Sequence, residues 1–139
     1  MFSKILVATD GSENALRAAR EATQLVKNFP AKATLMCVAY VPATYRDDIG
    51  PELSESFLDD ARQALRFTEK VFAEERLSYQ TKLVQDVHPA DAILEEAQAG
   101  SYDLIVLGSR GLSEREVKRL GSVSQEVVRR AECSVLLVR

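Results

Sequence analysis

The segment Leu104-Ile105-Val106-Leu107-Gly108-Ser109-Arg110-Gly111 joins an apolar run to two glycines, and Gly121-Ser122 follows after nine further residues. The apolar run is typical of a buried strand. A buried strand that ends at glycines, with a helix start beyond them, directs backbone N–H groups and the positive end of a helix dipole toward an anion. The segment therefore predicts a strand that ends at a nucleotide-binding loop.

The rest of the chain alternates short apolar runs with longer amphipathic segments. This alternation is typical of a parallel sheet with helices on both faces. The predicted strands span residues 5–8, 33–41, 79–85, 104–107 and 134–138. Residues 79–85 alternate polar and apolar side chains, which places that strand at a sheet edge. We therefore predict an α/β fold, a single doubly wound five-stranded parallel sheet.

Length and composition indicate one domain over residues 1–139, without a linker or a repeat. The formal charge of −3 argues against nucleic acid or an anionic membrane as partner. The first apolar run, residues 5–8, is too short for a signal peptide or a membrane span. Cys37 and Cys133 lie in or beside apolar runs, as core cysteines of a reducing compartment do. These features predict a soluble cytoplasmic protein with a small-molecule partner.

Two predicted strand ends carry the candidate site. The first strand ends at Thr9-Asp10-Gly11 and the fourth at Gly108. Ligands of doubly wound sheets bind beyond the carboxyl ends of strands where the winding reverses. Asp10 is a candidate for contacts with ribose hydroxyls or a Mg²⁺ ion, although an aspartate between strand and helix is also a common turn former. Ser122 and Gln125 have capping-box spacing, which predicts a capped helix start beside the site.

The chain offers few groups for catalysis. His88 is its only histidine, so neither a metal site nor a catalytic triad can be assembled around it. No Walker-type lysine is present either, and we assign no catalytic residue. Slow ATP hydrolysis, or phosphate transfer to the hydroxyl of Ser122 or Ser124, is predicted only as a side activity. The charged segment 113–119 is either a solvated face or a lid over phosphates.

The glycine motif also carries a family resemblance. Gly108, Gly111, Gly121 and Ser122 reproduce the pattern glycine, two residues, glycine, nine residues, glycine and serine. This pattern resembles that of the ATP-binding branch of the universal stress protein family. The resemblance extends to both ends of the chain, because residues 5–12 are similar to the family's opening strand and turn, and residues 135–138 to its closing strand.

The resemblance implies a fold, a ligand and a role. The implied strand order is 3-2-1-4-5, and the implied ligand is ATP or a related adenine nucleotide, bound with Mg²⁺. The implied assembly is a homodimer joined through the C-terminal strand. The implied role is a nucleotide-responsive module in stress signalling that acts on an unknown protein partner. The alternative is a nucleotide-independent dimer that serves as a scaffold, against which the intact glycines argue.

The resemblance also implies three groups of nucleotide-binding residues. The first lies at the ends of the first two strands and approaches adenine, ribose and phosphate: Ala8, Thr9, Asp10 and Val38. The second ends the fourth strand and begins its loop: Leu107, Gly108 and Gly111. The third holds the outer phosphates at the start of the last helix: Gly121, Ser122, Val123 and Ser124.

Two positions depart from the family pattern. Val87 stands where the family often has glycine, before His88-Pro89. Ser134 stands where a proline commonly introduces the last strand, which leaves an additional backbone N–H at that edge. Neither departure touches the glycine motif, but the second bears on the geometry of a dimer.

Overall fold

A computed structural model describes residues 1–40, 50–110 and 120–139, except for the side chains of residues 51–54. Strands and helices alternate along these residues. The strands are β1 (Lys4–Ala8), β2 (Lys32–Tyr40), β3 (Gln80–Asp86), β4 (Leu104–Gly108) and β5 (Ser134–Val138). The helices are α1 (Glu13–Asn28), α2 (Pro51–Glu74), α3 (Pro89–Ala99) and α4 (Ser122–Arg130).

The five strands form one parallel sheet in the order β3-β2-β1-β4-β5. This order confirms the predicted fold class and puts β1 next to β4, with Val7 paired to Val106. The winding therefore reverses between β1 and β4, because β2 and β3 extend the sheet on one side and β4 and β5 on the other. The topological switch point, at which the sequence predicts a ligand crevice, therefore lies between the first and fourth strands, as expected.

Side chains alternate between two cores, one on each face of the sheet. In β1, Ile5 and Val7 pack with α1 and α2, whereas Leu6 and Ala8 pack with α3 and α4. All four residues are buried, which explains why this strand is apolar without interruption. Cys37 is a buried free thiol on the α1 and α2 face, as predicted for a core residue, and Cys133 is a half-buried free thiol.

Element boundaries differ from the predicted ones by a few residues. Strand β3 spans Gln80–Asp86 and lies at the sheet edge, as its alternating pattern predicted. Helix α2 starts after Gly50 with Pro51 at its first position and ends at Glu74. Helix α3 starts at Pro89 with His88 as its N-cap. Within the described ranges, no helix combines the length and the apolar character needed to cross a membrane.

Candidate functional site

The carboxyl ends of three neighbouring strands form an apolar wall on the α3 and α4 face. Ala8 and Leu107 are buried there at the ends of β1 and β4. Val38, near the end of β2, is half-buried against the same core. Ala8 pairs with Met36, so Val38 lies two residues further toward the carboxyl edge. The structure thus brings three of the predicted site residues together on one side of the crevice.

The turn after β1 is held by a chain of hydrogen bonds to α2. The Gly11 N–H donates to Thr9 Oγ1 over 3.1 Å, and Thr68 Oγ1 donates to the Ala64 carbonyl over 2.9 Å. The two threonine hydroxyls lie 2.9 Å apart. Because the Thr68 proton is used toward Ala64, Thr9 donates to Thr68. The buried Thr9 hydroxyl is therefore committed to α2, and a ligand contact by Thr9 falls to its backbone.

Gly11 allows this turn to lie directly on α2. Its φ is +79°, a region that residues with a side chain rarely adopt. A Cβ built at Gly11 would lie 2.9 Å from both the Cα and the Cβ of Ala64. The close approach fixes the direction in which the chain leaves β1, and with it the position of Asp10.

Asp10 shapes the same turn from its other side. Its Oδ1 accepts a hydrogen bond from the Ser12 N–H over 3.0 Å, and Ser12 Oγ in turn accepts from the Ala15 N–H as the N-cap of α1. The Asp10 side chain is half-exposed at the mouth of the crevice. The described residues contain no group of three or more His, Cys, Asp or Glu side chains that could hold a metal ion.

The two halves of the glycine motif meet at the end of β4. The Gly121 N–H donates to the Ser109 carbonyl over 2.7 Å. In the first turn of α4, the buried Ser124 hydroxyl donates to the Gly108 carbonyl over 2.8 Å. These two hydrogen bonds hold the start of α4 against the end of β4. Gly111 and the charged segment 113–119 lie outside the described residues.

The start of α4 differs from the predicted capping box. Gly121, with φ −65° and ψ 159°, is the N-cap, and Ser122 is the first helical residue. Gln125 reaches back to the Leu120 carbonyl over 2.9 Å instead of closing a box with Ser122. Because glycine has no side chain, the N-cap leaves the first-turn N–H groups without a side-chain acceptor. Exposed Ser122 and half-buried Val123 belong to that turn.

Asn14 lies beside the candidate site, and the sequence prediction missed it. Its side chain is buried on α1, where Oδ1 accepts from the Arg110 N–H over 3.0 Å and Nδ2 donates to the Val138 carbonyl over 2.9 Å. A Cβ built at Gly108 would lie 2.3 Å from Asn14 Oδ1. Asn14 stands four residues before Ala18 on the buried stripe of α1. A polar residue at a position where the helix pattern expects an apolar one could have identified Asn14 from the sequence.

The pKa of the Cys37 thiol is raised by its surroundings, which include Asp10. Burial, and secondarily the negative charge of Asp10, raise the pKa of this thiol from an ordinary value of 9.0 to about 12. The thiolate that would react with an electrophile is therefore nearly absent in the folded protein at neutral pH. Cys37 is therefore a core residue, as its burial predicts.

The raised pKa of Cys37 predicts a loss of stability in alkali. The unfolded chain releases this proton near pH 9.0 and the folded chain near pH 12, so unfolding gains favourable free energy as pH rises between the two values. We expect the wild-type free energy of unfolding to fall by about 1.4 kcal/mol more per pH unit than that of Cys37→Ala in this window. Urea unfolding of both proteins above pH 9.0 measures the difference. Parallel pH dependences would contradict the prediction.

Comparison with known proteins identifies relatives over the whole chain. The profile of the universal stress protein family matches residues 1–139. A universal stress protein of Thermus aquaticus is 40% identical over 144 residues, and the alignment covers 100% of both chains.

Solved structures agree with the sequence comparison. The universal stress protein UspA of Lactobacillus plantarum superimposes with a TM-score of 0.83 at 28% identity, covering 99% of this chain and 98% of that one. A universal stress protein solved in complex with cAMP has a TM-score of 0.75 at 26% identity, covering 99% of this chain and 97% of that one.

Proposed function

The chain belongs to the universal stress protein family, and we propose that it binds an adenine nucleotide where β1 and β4 end. The observation that carries this proposal is the meeting of Gly108 and the N-terminus of α4. Bonds from the Gly121 N–H to the Ser109 carbonyl and from Ser124 Oγ to the Gly108 carbonyl join segments that are distant in sequence. The carboxyl end of β4 thereby lies beside a helix N-terminus that lacks a side-chain cap, which suits a phosphate group.

The crevice suggests how the nucleotide lies. We assign adenine, an apolar ring with polar edges, to the wall of Ala8, Val38 and Leu107, with the backbone of Val38 at an edge of the base. Ribose and its hydroxyls then reach Asp10 and Gly108. The phosphates extend toward Gly111 and the first turn of α4, which contains Ser122, Val123 and Ser124. Because the Ser124 hydroxyl already donates to Gly108, its N–H is the group that we assign to phosphate.

Similarity to a nucleotide complex supports this assignment. The universal stress protein solved with cAMP shares 26% identity with this chain over nearly its full length. Cyclic AMP contains the adenine, ribose and phosphate that the crevice is proposed to receive. We propose ATP with Mg²⁺ as the ligand, because the glycine motif includes Gly121 and Ser122 at the start of α4 in addition to Gly108 and Gly111. These two further residues would hold phosphates beyond the first one.

We further propose a homodimer joined through β5. The two edges of the sheet differ in character, since β3 exposes polar residues including Lys82, whereas β5 contains the apolar run Val135–Val138, which is half-exposed. A charged edge strand resists pairing with another strand, and an apolar one with free N–H and C=O groups favours it. The edge N–H that Ser134 adds is compatible with such pairing.

The proposed role is that of a nucleotide-responsive module in stress signalling, located in the cytoplasm, that presents its nucleotide state to a protein partner. Dedicated catalysis is not part of the proposal. The Ser124 hydroxyl, one of two candidates to accept a phosphate, is buried and donates to Gly108. This leaves Ser122, whose side chain is exposed, as the remaining candidate for a side reaction.

Nucleotide content and affinity test the proposal directly. The purified protein is denatured and any released nucleotide is identified, after which the stripped protein is titrated with ATP and with AMP by calorimetry. We expect a released adenine nucleotide or binding in the micromolar range. Absence of both would overturn the proposal and leave the nucleotide-independent scaffold as the function of this chain.

Substitutions at Asp10 separate its charge from its role in the turn. Asp10→Asn keeps an Oδ1 that can accept from the Ser12 N–H but removes the charge, whereas Asp10→Ala removes both. We expect Asp10→Asn to weaken ATP binding about tenfold when Mg²⁺ is present and much less when it is chelated, because only the carboxylate is a good Mg²⁺ ligand. Calorimetry of wild type and both variants, with and without Mg²⁺, measures this. An Asp10→Asn affinity equal to wild type would restrict Asp10 to the turn.

A further inference from the structure

The Asn14 carboxamide connects two backbone segments that bear on different properties of the protein. Its Oδ1 accepts from the Arg110 N–H, in the loop that follows β4, and its Nδ2 donates to the carbonyl of Val138, the last residue of β5. The side chain is only 3% exposed. One buried amide therefore spans the distance between the glycine loop and the end of the edge strand.

The Val138 carbonyl is the centre of this connection. Besides Asn14 Nδ2, it accepts the Ser109 N–H over 2.9 Å. The segment after β4 is thus connected to β5 in two ways. The Ser109 N–H bonds directly to the Val138 carbonyl, and the Arg110 N–H is connected to the same carbonyl through the Asn14 side chain. Gly108 leaves room for the second route, because any Cβ at that position would take the place of Asn14 Oδ1.

We propose that Asn14 is a positioning residue that couples the Ser109-Arg110 segment, directly after β4, to β5, so that nucleotide binding at the end of β4 also orders the edge strand. The inference rests on the proposed nucleotide site. Asn14 does not touch the nucleotide in this scheme. It acts through the backbone N–H of Arg110, which it holds at the end of β4, and through the Val138 carbonyl.

The physical basis is the cost of an unpaired buried amide. A displacement of either the Arg110 N–H or the Val138 carbonyl would leave one end of the buried Asn14 amide without its partner. A single orientation of the Asn14 amide makes both bonds, one to the Arg110 N–H and one to the Val138 carbonyl. A fixed Arg110 N–H therefore favours a fixed Val138 carbonyl in β5. By linkage, a fixed Val138 carbonyl favours a fixed Arg110 N–H to the same extent.

The experiment compares Asn14→Leu with a matched control, Arg17→Ala. Arg17 lies on the same helix and its Nε donates to the carbonyl of Arg139, the residue after Val138, but it has no bond to the loop among the described contacts. ATP affinity is measured by calorimetry in the presence of Mg²⁺. Amide hydrogen exchange of a C-terminal peptide covering β5 is measured by mass spectrometry with and without ATP.

We expect Asn14→Leu to weaken ATP binding about tenfold and to abolish the ATP-induced slowing of exchange in β5, whereas Arg17→Ala retains both wild-type properties. Loss of the slowing is the readout that a merely structural role would not produce, because general loosening raises exchange equally with and without ATP. Asn14→Asp serves as the second variant if the leucine variant does not fold. Its carboxylate can still accept from Arg110 but cannot donate to Val138, so the slowing in β5 should again be lost.

The outcomes separate this inference from the proposed function. If wild type binds no adenine nucleotide, both are overturned. If wild type binds ATP but shows no slowing in β5, or if the Asn14 variants retain that slowing, the coupling is overturned and the nucleotide site stands. An equal loss of affinity and slowing in Arg17→Ala would likewise overturn the coupling, since it would assign the effect to the C-terminus as a whole.

Discussion

Replacement of Gly11 by valine is expected to lower the free energy of unfolding by about 4 kcal/mol. Two effects add at this position. The φ of +79° is unfavourable for any residue with a Cβ, and most so for a β-branched one. The new Cβ would also lie 2.9 Å from the Ala64 Cα, which is helix backbone and cannot rotate away. Helix α2 must move from the turn, or the turn must change its conformation.

Urea unfolding of wild type and Gly11→Val measures the loss, and Gly50→Ala is the matched control. Gly50 has a φ of −75° as the N-cap of α2, and a Cβ there would have none of the described atoms within 4 Å. We expect the control to cost no more than about 1 kcal/mol, the difference between glycine and alanine as N-cap. Equal losses in the two variants would mean that Gly11 is not required by the contact with Ala64.

The second large effect is expected at Gly108. We expect Gly108→Ala to lower the free energy of unfolding by about 3 kcal/mol and to weaken ATP binding by about 100-fold. The new methyl group would lie 2.3 Å from Asn14 Oδ1 and 2.9 Å from Asn14 Cγ. The buried Asn14 amide must then leave its place, and its bonds to the Arg110 N–H and the Val138 carbonyl break together.

A double-mutant cycle with Asn14→Ala separates the steric effect from a direct effect on the ligand. Truncation of Asn14 removes both of the atoms closest to the added methyl group. If displacement of Asn14 explains the loss of stability, the double variant should be more stable than the sum of the two single losses predicts. Additive losses would contradict that explanation. ATP affinity, measured by calorimetry on each folded variant, tests the functional part separately.

Much of the fold could be predicted because the governing pattern is local. Buried strands such as β1 and β4 are apolar on both faces, while β3 alternates, and each pattern is visible within a few residues. The strand order is different in kind, because apolar patterns do not specify which strand lies beside which. It was predicted from the family resemblance, and the sheet confirms it.

The start of α4 illustrates where a local pattern misleads. Ser122 and Gln125 have the spacing of a capping box, but the same residues fit a helix whose N-cap is Gly121. What selects Gly121 is the bond of its N–H to the Ser109 carbonyl, a contact with the end of another strand. The capping-box pattern is defined only by residues in the first turn of a helix, so it cannot predict a contact with another strand.

The sequence by itself determined the succession of strands and helices, the edge position of β3 and the glycine motif, since side-chain period and backbone freedom are properties of neighbouring residues. Tertiary structure alone decided what Asn14 and Thr9 do. Asn14 bonds to residues 96 and 124 positions away, and Thr9 to one 59 positions away. Such bonds form because folding buries these side chains, and a buried polar group is stable only with a hydrogen-bond partner. No local pattern contains that requirement, so it emerges only when the sheet and its helices are assembled.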